Sequence, residues 1–487
     1  RNVQLSAKRT QLGLIQNLDI PKLPQRERVF RRSNCIFAGD RRTEFLGGEC
    51  NGTMADNNHF GADRGGQANG ETIKASETSG SSQSSNYMLW VLTGILAVNQ
   101  LDRHILNISL DAIGREFALS DTQLGLLSGL LFTAVYVLFG FPVAKLAARH
   151  NRRNIIAAAA FIWCSLTIVS GAAQSFLQLA LARLGVGVGE SGCVAPSQAI
   201  ISDLYPIERR ATAMGIYTAG TNIGILLAFL IGGLAGQVLG WRWAFVLAGL
   251  PGIVLAALLW GTTREPARQD LLLNQQVHRS LFVATIKRTW SDRVLFHIFM
   301  GFAISGVVTY GALTWYATFI IRFHGLNQAQ TGIFIACTVG ILGFIGTILA
   351  GRIADRLGRT DPRWRIGVVI FGLLAAKPFA LTFLLADDTL VALSGLAVAT
   401  IFANTLWGPT FALIHSRVDN EMRTMATSVY MFAFNMVGLG LGPIIVGLAS
   451  DTVFSSAGSR SLAYALVCVQ IAGIWGAWHF WKVTRLM

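Results

Sequence analysis

Charge is what this sequence is short of. Only 14% of its 487 residues are Asp, Glu, Lys or Arg, while 52% are hydrophobic. A soluble chain carries about 25% charged residues, because its whole surface must be wet. The shortfall excludes an ordinary soluble two-domain protein and points to lipid as the solvent for much of the surface. Paired cysteines are also missing. Cys35, Cys50, Cys164, Cys193, Cys337 and Cys468 stand singly, which gives neither a disulfide framework nor metal-ligand spacing. No catalytic cluster of His, Asp or Ser gathers near one membrane face, so an enzyme is not expected. The glycines of Gly187-Val-Gly-Glu-Ser-Gly192 fit a dinucleotide fingerprint only in spacing. They lie inside an apolar helix rather than after a strand, so no cofactor is expected. Acidic residues are scarcer than basic ones, giving a net charge of +14. The basic residues sit in short loops between apolar runs, which argues against nucleic acid as a partner.

What the sequence does have is length of apolar run. From Tyr87 onward, such runs alternate with short charged loops, each near the ~20 residues that cross a bilayer as a helix. The expected spans are 87–109, 123–146, 154–174, 176–200, 211–236, 242–262, 294–320, 330–352, 366–386, 390–415, 424–449 and 461–482. The fold class is therefore all-α integral membrane, with twelve transmembrane helices. Before them lies a polar tail, residues 1–86, rich in Gly, Ser, Asn and Arg and expected to be disordered. The first methionine is Met54, and an extension upstream of the natural start is one explanation. No short apolar segment with a cleavage site is present in the tail.

Basic residues orient the spans. Arg149, Arg152, Arg153, Arg209, Arg210, Arg264, Arg268, Arg279, Lys287, Arg288, Arg356, Arg359, Arg363, Arg365, Arg417 and Arg423 fall on one side. The other side has little beyond Arg115, Arg242, Arg322 and Arg460. The positive-inside rule then places both termini and the link at 263–293 in the cytoplasm.

The chain also repeats. Leu119-Ser-Asp-Thr-Gln123-Leu-Gly125 resembles Leu326-Asn-Gln-Ala-Gln330-Thr-Gly332, and Arg149 and Arg152 recur as Arg356 and Arg359, at one offset of 207. Glu208, Arg210, Tyr217 and Asn222 match Glu421, Arg423, Tyr430 and Asn435 at an offset of 213. Duplicated halves follow: a six-helix bundle at 87–262, a linker at 263–293 and a second bundle at 294–487, with a substrate site between them.

Gly351-Arg-Ile-Ala-Asp355-Arg356-Leu-Gly358-Arg359 closes the eighth span. It resembles the loop signature of the major facilitator superfamily, glycine-x-x-x-aspartate-arginine-x-glycine-arginine. Physically this is a charge clamp at a helix end, able to stabilise one gate state. The bland alternative is positive-inside arginines alone. The matching first-half stretch, Ala144-Lys-Leu-Ala-Ala148-Arg149-His-Asn151-Arg152-Arg153, lacks the first glycine and the aspartate. Asp355 is then the only aspartate available to the two loop clamps. The Asn-Arg-Arg ending, Asn99-Gln-Leu-Asp102-Arg103, and Ala182-Arg183-Leu-Gly185-Val-Gly187-Val-Gly189-Glu190-Ser191 running on to Asp203-Leu-Tyr-Pro206 resemble the spinster-like branch. The resemblance covers 87–487. It implies two six-helix bundles and transport of lysolipids, sphingoid phosphates or related amphiphiles, commonly with proton coupling.

The charges inside the spans support a coupling site. A charge at the bilayer centre costs at least ~2.5 kcal/mol, so such residues usually face a cavity. Asn99, Asp102 and Arg103 share one helix face, as do Arg183 and Glu190. Asp102 and Glu190 are the expected proton carriers, with Arg103 and Arg183 as their partners. The competing reading is an ion pair that only fixes helix packing. In the second half, Tyr310, Trp315, Tyr316, Lys377, Asn404, Trp407, His415 and Asn435 are candidates to line the cavity, with packing as the alternative for each aromatic. His104 reads as a helix-end residue.

The leading expectation is a proton-coupled carrier of an amphiphilic or anionic solute, working by alternating access, in a bacterial inner membrane and as a monomer. Drug efflux and organic-acid or sugar-acid uptake are alternatives within the class. A membrane-embedded enzyme and a non-transporting receptor are the alternatives outside it.

Overall fold

The computed structural model describes residues 78–267, 274–419 and 422–487. The expected tail up to residue 77, the linker residues 268–273 and the repeat residue Glu421 lie outside the described residues. All regular structure among the described residues is helical. The first half comprises α1 (Thr78–Phe117), α2 (Asp121–Arg149), α3 (Arg152–Gly171), α4 (Phe176–Glu190), α5 (Val194–Leu204), α6 (Ile207–Val238) and α7 (Trp241–Thr262). The link contains α8 (Asn274–Ser291). The second half comprises α9 (Arg293–His324), α10 (Gln328–Leu357), α11 (Trp364–Leu385), α12 (Thr389–Arg417), α13 (Arg423–Leu448) and α14 (Ser461–Leu486).

Ten of the helical stretches among the described residues are long and apolar enough to cross a membrane. The two remaining expected spans have visible reasons to fall short. Helix α1 is interrupted by Asn99, Gln100, Asp102, Arg103, His104 and Asn107. The fourth span breaks into α4 and α5 at a turn over residues 191–193, directly after Glu190. Both carry an acid and an arginine inside the span. Outside, Leu138, Phe371, Leu390 and many other large apolar side chains are exposed, as a lipid-facing surface requires.

The 207-residue repeat has a local cause. Ser120 Oγ accepts from the Gln123 amide while Gln123 Oε1 accepts from the Ser120 amide. Asn327 and Gln330 make the same reciprocal pair. Each is a capping box that satisfies amides otherwise orphaned at a helix start. In both α2 and α10 a π-helical turn follows, Leu126–Leu130 and Ala336–Leu342. The 213-residue pairing places Tyr217 and Tyr430 in matching buried positions.

One expectation needs correcting. Residues 78–86, expected as the end of a disordered polar tail, belong to α1. Asn86 Oδ1 accepts from the Tyr205 hydroxyl at 2.8 Å, tying this stretch to the segment after α5. Within the first half α1 packs on α6 and α7, and α3 on α7 and α4. Within the second, α9 packs on α13 and α14, and α11 on α12 and α14. The halves meet along α2–α13, α6–α10 and α1–α9.

Candidate functional site

The four charges of α1 and α4 singled out in the sequence form two crossed ion pairs. Arg103 Nε lies 2.7 Å from Glu190 Oε2, and Arg183 Nη1 lies 3.0 Å from Asp102 Oδ2. Asp102 also accepts from the Thr167 hydroxyl of α3. Helix geometry explains the crossing. Asp102 and Arg103 are neighbours on α1, and Arg183 and Glu190 are two turns apart on α4. The α4 charges are about 10.5 Å apart in depth and the α1 charges only about 1.5 Å, so the length of the two arginine side chains spans the difference. The acids are buried at 1% and 0% exposure, whereas Arg103 is partly open.

Hydrogen bonding in the cluster is incomplete. Glu190 Oε1, Arg183 Nε and Nη2, and both side-chain amide atoms of Asn99 are buried and find no partner among the described residues. An unpaired buried polar group costs about 1–3 kcal/mol, so a purely structural pair would be expected to satisfy more of these atoms. Aromatic faces hold the guanidiniums: Phe132 and Tyr136 each at 5.0 Å from Arg103, and Phe245 at 4.8 Å from Arg183.

A narrow cavity of about 20 Å³ opens against the arginines, not the acids. Its walls are Arg103, His104, Leu106, Asn107, Leu127, Ser128, Phe132 and Arg183 from the first half and Tyr310 and Leu439 from the second. The space suits about one water. The carboxylates thus stand behind their arginines instead of facing the cavity directly. His104 and Asn107, bonded to each other at 3.1 Å, belong to this wall, although His104 reads in the sequence as a helix-end residue. Asn107 follows Arg103 by four residues, and that spacing was the available signal.

The second-half candidates divide. Tyr310 reaches the cavity, and Asn435 stands behind it, accepting the Tyr310 hydroxyl at 2.7 Å. Trp315 is fully buried and donates to the Pro443 carbonyl at 3.0 Å. Lys377 donates to Gln470 at 2.9 Å between α11 and α14. Asn404 donates to the Thr400 carbonyl. Trp407 packs on Phe302 and Phe434, and His415 bonds Thr427 at 2.7 Å. None of these five lines the cavity around the arginines. Tyr316 packs edge-on against Phe383.

At the end richer in arginine, the loop motif of the second half is exposed: Asp355, Arg356 and Arg359 all face outward. Gly358 ends α10, its amide bonding the Ala354 carbonyl at 2.8 Å, and a Cβ on Gly351 would meet open space. Arg149 is exposed too. The first-half clamp corrects the expectation that Asp355 is the only available aspartate. Arg152 binds Asp203 at 2.6 Å and Glu265 at 2.9 Å, and the Arg153 amide donates to Glu265 at 2.8 Å. Acids 51 and 113 residues away replace the one missing at Ala148. Burial by itself would raise the Glu265 carboxyl, but the Arg153 amide and the Arg152 guanidinium hold it below its ordinary value.

An all-helical, lipid-facing chain built as two matched halves around buried charges defines a membrane carrier. The sequence profile of the Major Facilitator Superfamily matches residues 92–443, and the chain belongs to that superfamily. It is 30% identical over 409 residues to an MFS-type efflux pump of Mycolicibacterium smegmatis, covering 81% of this chain and 92% of the relative. It is 27% identical over 396 residues to a probable L-galactonate transporter of Escherichia coli, covering 77% and 84%. It is 24% identical over 428 residues to the sphingosine-1-phosphate transporter SPNS2 of Danio rerio, covering 80% and 83%. The crystal structure of a bacterial homolog of the human lysosomal transporter Spinster, inward-facing and unoccupied, superposes with a TM-score of 0.75 at 28% identity, covering 82% of this chain and 97% of that one. The protein is a multi-pass, spinster-like transporter of small solutes and not an enzyme.

Proposed function

We propose that this transporter is proton-coupled and moves an anionic amphiphile by alternating access between two six-helix halves, 87–262 and 294–487. The observation that carries the reading is Arg183. Its guanidinium holds Asp102 with one nitrogen, leaves two buried nitrogens unbonded and borders the cavity. Protonation of Asp102 or Glu190 weakens the hold on the paired arginine, and an anionic headgroup then competes for the freed donors. Proton and substrate thereby bias one two-state equilibrium. Leu106, Leu127, Phe132 and Leu439 beside the arginines offer contact to an apolar chain. The positive-inside pattern supports placing both termini and the link at 263–293 in the cytoplasm, and we take the membrane to be a bacterial inner membrane. We take the carrier to act as a monomer.

A sugar-acid carrier is the second reading. It is favoured by the L-galactonate relative, since paired arginines also suit a carboxylate. The test is uptake by reconstituted vesicles over a panel of lysolipids, sphingoid phosphates and sugar acids, with and without an imposed pH gradient. Gradient-stimulated uptake of an amphiphile is expected, lost in Asp102→Asn while substrate exchange persists. Full gradient-driven uptake in both Asp102→Asn and Glu190→Gln would overturn the coupling. Uptake of sugar acids alone would overturn the amphiphile.

A further inference from the structure

A second charge network, separate from the two ion pairs of α1 and α4, lies at the arginine-poor end and joins the two halves. Arg322, at the end of α9, reaches across to the first half. Its Nε lies 2.8 Å from Asp111 of α1, and its Nη1 lies 2.7 Å from Asp121 at the start of α2. Both acids are buried, with side chains 6% and 9% exposed. Asp121 also accepts from Ser450 at 2.7 Å. Asp451 returns the contact from the second half, accepting the Asp121 amide at 3.2 Å and the Thr122 amide at 2.7 Å. Arg115 adds a second cation to Asp111 at 2.9 Å.

The other seam at this end is built from the matching part of the repeat, and it is neutral. Gln328 stands 207 residues after Asp121, in the same place within the second capping box. Its side-chain amide donates to the carbonyls of Gly232 at 3.1 Å and Ile108 at 3.3 Å, and its backbone amide donates to Gln237 at 3.0 Å. Arg115 and Arg322 also match at 207. Arg115 is 67% exposed and stays within its own half, while Arg322 crosses. One position of the duplicated frame has thus become ionic, and its twin has not.

We propose that Arg322 is the positioning residue that holds the arginine-poor end closed, with Asp121 and Asp111 as its counter-charges. A buried ion pair recovers about as much hydration on opening as it loses in attraction, so it fixes geometry without creating a deep trap. That suits a contact made and broken in every cycle. Removing Arg322 takes the cation away from buried Asp121 and leaves Asp111 to the exposed Arg115, which penalises only the closed state. Asp111 lies on α1 together with Asp102 and Arg103, so any shift of α1 at the coupling pairs reaches the closure directly.

The proposal rests on the alternating-access reading but not on proton coupling. Its test needs neither substrate nor gradient, so the two can fail separately. Spin labels at Ala118 and Val453, both exposed, report on the arginine-poor end; labels at Leu146 and Phe432, also exposed, report on the other. In bilayers, Arg322→Gln is expected to raise the long-distance fraction of the first pair about tenfold, with no lengthening of the second. Asp121→Asn, nearly isosteric, is expected to act in the same direction and carries the test if Arg322→Gln fails to insert. Unchanged distances at the first pair would overturn the proposal. So would lengthening at both pairs, which would mean general loosening.

Discussion

Glu265 illustrates how a single side chain ties distant segments together. It binds Arg152 and the Arg153 amide, and its carboxyl is held below its ordinary value. A depressed carboxylate contributes stability that is fully present above the unfolded value and is lost as pH falls through the folded one. Glu265→Gln should therefore melt a few degrees below the parent near neutral pH, and the gap should close under acid, where the parent carboxylate is itself protonated. Melting in detergent across pH checks this, and a gap that persists in acid would contradict it. The residues of the two ion pairs between α1 and α4 are legible in the sequence, because charges inside an apolar run have few reasons to be there. The pairing is not, since which arginine meets which acid depends on the relative depth of α1 and α4. The role of Glu265 and of Asp203, which lies in a stretch quoted for the family resemblance, is hidden for a similar reason: nothing local marks an acid as the replacement for one missing at Ala148.

At the scale of elements, the seam between α2 and α13 depends on backbone approach. A Cβ at Gly125 would stand 2.5 Å from the Pro443 carbonyl, and one at Gly129 would stand 2.6 Å from the Leu439 carbonyl. Neither neighbour is a flexible side chain that can step aside. Gly125→Ala should wedge α2 from α13 at a cost of about 1–3 kcal/mol in the closed arrangement, lengthening the Ala118–Val453 distance and slowing transport roughly tenfold. Gly140→Ala, on the same helix with no atom within 4 Å of the added carbon, should leave both unchanged. Equal effects of the two variants would remove the packing argument. The capping boxes explain why the repeat at the starts of α2 and α10 is legible in the sequence, although the expected spans begin at 123 and 330: both boxes are short local patterns. The π-helical turns after them lack such patterns, whereas the break after Glu190 has a local cause: Pro196 has no N–H to offer the Gly192 carbonyl, and Gly189 stands just before the turn and Gly192 within it.

For the whole molecule, duplication supplies the frame and departures from it supply the function. Charged pairs sit in the first half between α1 and α4, while the second half offers Tyr310 to the cavity wall, with Asn435 behind it accepting its hydroxyl. One half handles protons in this account, and the other closes over the solute. The most direct test is proton movement itself, recorded by a pH dye trapped in reconstituted vesicles when a transported amphiphile is added without an imposed gradient. The account predicts a substrate-dependent pH change in the parent protein and none in the Asp102→Asn, Glu190→Gln double variant, although labelled substrate still exchanges. Net movement of substrate by the parent protein with no accompanying pH change would contradict it.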